Sequence, residues 1–302
     1  MENNLSDKNE NKDRKGRGVS HSKIILMGEH SVVYGYPAIA IPLKNIRMEC
    51  IVERATVPFV HNKKDTLSTA IYTALNYLNR KNENIKYKVI SDIPPKRGMG
   101  SSAAVSIAAI RGVLDYFNRK VDNLTLEKLV NEAEIIAHNT PSGLDAKTCL
   151  SDSAIKFIKN KGFKNLEMNL GAYLLIADTG IHGHTRDAIM NIKNMGGRAL
   201  PMLEKLGKLT EETEKFIEEK DVINIGKNMI SAHGELKKLG VSIEKSDVLV
   251  KIAIDEGAYG AKMSGGGLGG CIIALMESRK KAEMTGKKLM EKGAVNIWIE
   301  AL

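Results

Sequence analysis

Residues 98–104 read Gly98-Met99-Gly100-Ser101-Ser102-Ala103-Ala104, and an apolar-periodic stretch to Leu114 follows at once. Two glycines in three positions let a backbone turn tightly and approach a ligand closely, because no Cβ intervenes. A helix starting there aims its free N–H groups and its positive dipole end into the loop. Such a loop suits phosphate. The hydroxyls of Ser101 and Ser102 can cap the helix or ligate a metal. Pro94 and Pro95 end any earlier element and lead the chain through Lys96 and Arg97 into the loop. The pattern alone is weakly specific: with 27 glycines in 302 residues, Gly-x-Gly is expected about twice by chance. Gly98, Gly100 and Ala103 also satisfy the dinucleotide-binding pattern G-x-G-x-x-A, which requires a strand running straight into the first glycine. Here Pro94-Pro95-Lys96-Arg97 intervenes. No Gly-Lys-Ser/Thr follows, so this is not a Walker A loop. The plain alternative is a helix cap with a glycine turn.

Three further constellations can do chemistry. Ser264-Gly265-Gly266-Gly267-Leu268-Gly269-Gly270 places five glycines in six positions between two apolar runs. Each glycine costs entropy, so a turn alone is a poor reason for so many; backbone pressed against a ligand or another loop is a better one. Lys23 opens an apolar run ending in Gly28-Glu29-His30, a polar pair at a strand end. Glu134 and His138 stand four apart, on one face of a helix that reaches both. Asn139-Thr140-Pro141-Ser142-Gly143-Leu144-Asp145 then forms a turn carrying a carboxylate.

Periodicity predicts the elements that position these groups. Strands are expected at 23–27, 38–43, 46–54, 85–91, 155–158, 173–178, 261–263, 271–276 and 294–301. Helices are expected at 66–78, 101–117, 125–137, 141–150 and 280–292, with a mostly helical stretch over 185–256. Lys159-Asn160-Lys161-Gly162 reads as a turn. Both halves mix strands and helices, so the fold class is α+β. A polar tail over 1–18, carrying five Lys/Arg and four Asp/Glu, reads as disordered. The chain then divides into 19–165 and 166–302.

A hydrophobic content of 43% supports a substantial core. Cys50, Cys149 and Cys271 are odd in number and far apart, which fits neither a disulfide framework nor zinc spacing and suits a cytoplasmic protein. No run reaches the length of a membrane span and no signal peptide is visible. The net charge is +9, but lysines are spread along the chain and aromatics are few (5%). A nucleic-acid-binding stripe is therefore not expected.

Taken in order, these segments resemble the mevalonate kinases of the GHMP kinase superfamily. The residues carrying the resemblance are Gly28 to Gly35 with Pro37-Ala38, Pro94 to Ala104, Asn139 to Asp145, and Lys262 to Cys271. It implies a two-domain fold, with an N-terminal ribosomal-protein-S5-like domain, a C-terminal ferredoxin-like α/β sandwich and a cleft between them. It implies transfer of the γ-phosphoryl group of ATP to the C5 hydroxyl of mevalonate, with Mg²⁺ as cofactor, in a homodimer. By position, Pro95, Lys96, Arg97, Gly98, Met99, Gly100, Ser101, Ser102 and Ala103 would bind ATP. Ser102 and Glu134 would ligate Mg²⁺. Asp145 would accept or orient the hydroxyl proton, with Lys23 beside it. Glu29, His30, Thr179, Thr185 and Gly266 would hold substrate or meet the γ-phosphate.

Two departures stand out. Ser20-His21-Ser22 replaces the commoner small-Pro-Gly lead into the lysine, so a different turn is expected there. Leu268 interrupts the last glycine run. Other members of the superfamily are the rival readings: phosphomevalonate kinase, mevalonate 3-kinase and sugar kinases. Glu29-His30-Ser31-Val32-Val33-Tyr34 favours mevalonate kinase over the sugar kinases, and Asp145 argues against homoserine kinase. A dinucleotide-dependent oxidoreductase is the remote alternative.

Overall fold

The computed structural model describes residues 14–138 and 143–302. The chain divides into two compact units that are discontinuous in sequence. Among the described residues, the first comprises 14–22, 44–93, 100–138 and 143–150; the second comprises 23–43, 94–99 and 151–302. The expected contiguous halves differ from this division because the glycine-loop segment 94–99 and the strand segment 23–43 cluster with the C-terminal residues. Strands β1 (Lys15–Met27) and β2 (Ala38–Arg54) each begin in one unit and end in the other.

In the first unit, the distal part of β2 pairs antiparallel with β3 (Ile85–Ser91), Cys50 opposite Val89. Helices α1 (Thr66–Tyr77), α2 (Ser101–Tyr116), α3 (Asn123–His138) and α4 (Leu144–Leu150) pack on one another. α1 starts where the Asp65 carboxylate accepts from the Ser68 amide at 2.9 Å, a capping bond that satisfies an otherwise orphaned donor. α2 buries Ala103, Ala104, Ile107, Ala108, Ile110 and Val113, and its small residues allow close approach.

In the second unit, β2 pairs through Ala38–Ala40 with β4 (Ala154–Ile158), which forms a hairpin with β5 (Gly162–Leu166). Sequence reading missed β5: only Leu166 of it is buried, so it shows no apolar alternation. A four-stranded antiparallel sheet follows in the order β7 (Gly260–Ser264), β8 (Cys271–Met276), β6 (Tyr173–Asp178), β9 (Asn296–Ala301). Helices α7 (Val222–Lys238), α8 (Glu244–Asp255) and α9 (Arg279–Glu291) pack on it, α6 (Leu200–Glu218) packs on α7, and α5 (Thr185–Met195) follows β6.

Two expectations at the N-terminal end need correction. Residues 15–18, assigned to a disordered tail, belong to β1, because Gly16 and Gly18 lie against the backbone of α2 near Gly112. Residues 1–13 of that tail lie outside the described residues. Ser20-His21-Ser22 forms no turn; it continues β1 into Lys23. Asn139 to Ser142, part of the expected Asp-bearing turn, also lie outside the described residues.

Candidate active site

Within the first unit, Gly100 is the N-cap of α2, with φ 72° and ψ 26° and no side-chain cap. The capping option for the two serines is thus not taken. Ser102 instead sits in the first helical turn, and its hydroxyl donates to Glu134 Oε1 at 3.0 Å. The spacing of 32 residues spans one helix, a turn and most of the next, so α2 and α3 together place the pair. Glu134 is buried. Asp145 lies in the first turn of α4, half-buried, just after Gly143 at φ 82°. A carboxylate is favoured there by the helix dipole. Since α4 packs on both α2 and α3, Ser102, Glu134 and Asp145 are carried by three mutually packed helices.

Within the second unit, three loops interlock. The phosphate-loop segment touches the glycine-rich β7–β8 loop so closely that a Cβ on Gly98 would stand 3.0 Å from Gly265 Cα. A Cβ on Gly265 would meet Gly98 Cα at 2.7 Å, so side chains are excluded from both. The β6–α5 turn joins them: the Gly183 amide donates to Lys96 O at 2.8 Å and the His184 amide to Gly267 O at 3.0 Å. Leu268 takes the left-handed conformation (φ 53°) usually given to glycine, and its amide donates to Val241 O at 2.7 Å.

Arg97 ties the same loops by charge. Its Nε stands 2.7 Å from Asp178 Oδ1, off the direction of a hydrogen bond, while Nη2 donates to Gly180 O at 3.2 Å. Thr179 is fully buried, and its hydroxyl donates to Gly270 O at 2.6 Å and accepts from the Ile181 amide at 3.2 Å. That hydroxyl anchors the turn. Thr185 opens α5 and is exposed, directly over Gly266, where any Cβ would overlap its side chain. Lys23 is buried, and its amide donates to Met99 O at 3.2 Å, fastening the phosphate loop to β1.

Glu29 and His30 form the other wall of this constellation. Lys262 of β7 donates through Nζ to Glu29 Oε1 and, at 2.8 Å, to Met263 O. Both charged side chains are fully buried. Glu29 Oε2 and His30 Nε2 are buried without a protein partner. Burial first, then the Lys262 charge, pushes the His30 imidazole down to about 4, so it is neutral near pH 7. A Cβ on Gly267 would lie 3.4 Å from His30 Nε2, which puts the glycine-rich loop against the imidazole. Read from the sequence, Lys262 falls within the last glycine motif and Asp178 in the segment with Thr179, neither with a role of its own. A lysine inside an otherwise apolar strand was the available signal for Lys262, since a buried ammonium needs a counter-charge.

The chain matches two domain models: GHMP kinases N terminal domain over residues 68–152 and GHMP kinases C terminal over 213–293. A curated mevalonate kinase of Pyrococcus furiosus is 31% identical, over 89% of this chain and 91% of that one. The crystal structure of mevalonate kinase from methicillin-resistant Staphylococcus aureus matches with TM-score 0.77 at 29% identity, covering 96% of this chain and 99% of that one. A structure of L. major mevalonate kinase in complex with R-mevalonate matches in fold, with TM-score 0.85 at 23% identity over 97% and 98% of the two chains. The chain belongs to the mevalonate kinase family of GHMP kinases.

Proposed function

We propose that the chain transfers the γ-phosphoryl group of ATP to the C5 hydroxyl of (R)-mevalonate, giving 5-phosphomevalonate for isoprenoid synthesis. The observation that supports it most is the pair of buried polar atoms without a protein partner, Glu29 Oε2 and His30 Nε2, beside the glycine-rich β7–β8 loop. A polyhydroxylated acid offers the hydroxyls that such groups need, and a buried polar group left unpaired is costly. Phosphoryl transfer requires positioning and charge neutralisation more than covalent help. The backbone from Pro95 through Ala103, with the first turn of α2, would cradle the phosphates. Thr185 and Gly266 would line the acceptor side, with Thr179 holding their turn.

The Ser102 hydroxyl and Glu134 carboxylate are hard oxygen ligands, which suits Mg²⁺, an ion that takes few protein oxygens and completes its shell with phosphate and water. When bound, Mg²⁺ would neutralise charge on the phosphates. Asp145 would orient the acceptor hydroxyl and take its proton, and Lys23 would add positive charge near the transferred group. A homodimer in the cytoplasm belongs to the same reading; all three cysteines are buried free thiols, as suits a reducing compartment. The test is ADP release with ATP–Mg²⁺ across mevalonate, phosphomevalonate, galactose and homoserine. Turnover with mevalonate is expected; activity confined to another acceptor rejects the proposal.

A further inference from the structure

We propose that Lys262 is a positioning residue of the acceptor site: its ammonium fixes the Glu29 carboxylate by one oxygen so that the other stays open to substrate. The inference rests on the assignment of Glu29 and His30 to the acceptor. Lys262 lies in β7, wholly enclosed, 233 residues from Glu29 in sequence. Its Nζ has two partners, Glu29 Oε1 and Met263 O. An ammonium has three donors. The carbonyl sets the direction of the side chain, and the carboxylate takes the charge. Glu29 then cannot rotate to use both oxygens on protein groups, and Oε2 is left buried and unpartnered.

A buried ion pair is weak evidence for stability, because desolvating both charges cancels most of their attraction. Here it does something an apolar pair could not, which is to hold a charged acceptor at a fixed place beside a neutral imidazole. The strand carrying Lys262 is itself braced. The Met263 amide donates to His233 Nδ1 at 3.3 Å, and His233 Nε2 stands 3.1 Å from Asp247 Oδ1. Asp247 also receives Lys237 Nζ at 2.7 Å and the Ser242 hydroxyl at 2.6 Å. The titratable groups around the site are therefore Glu29, His30 and Lys262, with His233, Asp247 and Lys237 behind β7. Of these, Lys262 is the charge that acts against protonation of His30.

Lys262→Met and Lys262→Gln test the assignment, with KM for each substrate and the pH dependence of kcat/KM for mevalonate. Lys262→Met is expected to raise KM for mevalonate about tenfold with KM for ATP unchanged, a loss confined to one substrate. Its acid limb is expected to move up by about one pH unit, since the fixed charge no longer opposes protonation of His30. Lys262→Gln, which keeps a donor for Glu29 but not the charge, recovers part of the KM and none of the limb. Equal changes in both KM values with an unmoved limb overturn the proposal. If Lys262→Met does not fold, a wild-type KM and limb in Lys262→Gln overturn it equally. If neither folds, Lys262→Arg, which keeps the charge but changes where it holds Glu29, decides: a raised KM for mevalonate with KM for ATP and the limb unmoved supports the proposal, and equal changes in both KM values overturn it. A wild-type enzyme inactive on mevalonate rejects the substrate reading instead, and the KM comparison then moves to whichever acceptor it phosphorylates.

Discussion

The molecule carries two acid-bearing pairs of opposite character. Ser102–Glu134 joins a hydroxyl to a carboxylate across two packed helices, and Ser102 is only half-buried. Glu29–Lys262 joins full charges in complete burial, between a strand end and a strand far along the chain. The first pair is uncharged on one side and presents two hard oxygens, the kind of ligand that the proposed cation would take. The second already sets an ammonium against its carboxylate within the protein, which suits the holding role proposed for Lys262. Phosphate chemistry and acceptor recognition thus make different demands: one wants available oxygen ligands, the other a carboxylate that cannot move.

The largest expected effect lies on the first side. Asp145→Asn should lower kcat by about a thousandfold, the usual range for a lost proton acceptor, with ATP binding retained. Near-normal kcat removes Asp145 from that role. Next is Glu29→Gln, which leaves the Lys262 ammonium buried without its counter-charge and should cost about 3 kcal/mol in denaturant unfolding. The same substitution at Glu134 should cost less, since its bond to Ser102 joins the carboxylate to an uncharged hydroxyl. Equal costs would erase the contrast between the pairs.

His30 gives the comparison a pH signature. Its folded-state value is about 4, below the ordinary 6.5. The unfolded chain therefore binds the extra proton first. His30 contributes stability that is complete above 6.5 and lost as pH falls towards 4, roughly 3 kcal/mol in all. His30→Asn, which removes the titrating ring at a backbone position of φ 61° and ψ −42°, should flatten the stability–pH curve across that window. The slope surviving unchanged would mean that His30 is not neutral by burial. The smallest effect is Glu134→Gln on the metal requirement, expected to rise about tenfold in a Mg²⁺ titration of activity. An unchanged titration takes Glu134 out of the metal shell.

How much of this was readable in the chain follows from sequence distance. Gly98 to Ser102 stands out because a glycine loop running into a helical period is a local signal, whereas Glu134 and Asp145 take their expected roles from the resemblance, an isolated carboxylate being ordinarily a surface group. The apolar runs of β6, β7 and β8 are equally legible, since their strands are buried throughout or nearly so. β5 is not, because four of its five residues face solvent and only pairing with β4 makes them a strand. Nor are the long-range links: Lys262 to Glu29, Arg97 to Asp178, and the Gly98–Gly265 contact. A sequence shows that Lys262 needs a counter-charge but not which carboxylate supplies it. Thr179 illustrates the converse. Its position suggested contact with substrate, whereas the folded turn engages its hydroxyl with Gly270 and Ile181.

The central claim is the identity of the bond formed, and the product reports it directly. Wild-type enzyme with ATP–Mg²⁺ and (R)-mevalonate should yield a phosphate monoester whose proton-coupled ³¹P signal is a triplet, because C5 carries two hydrogens. A singlet, the signature of a phosphate on the hydrogen-free C3, or no new ester at all, would contradict it.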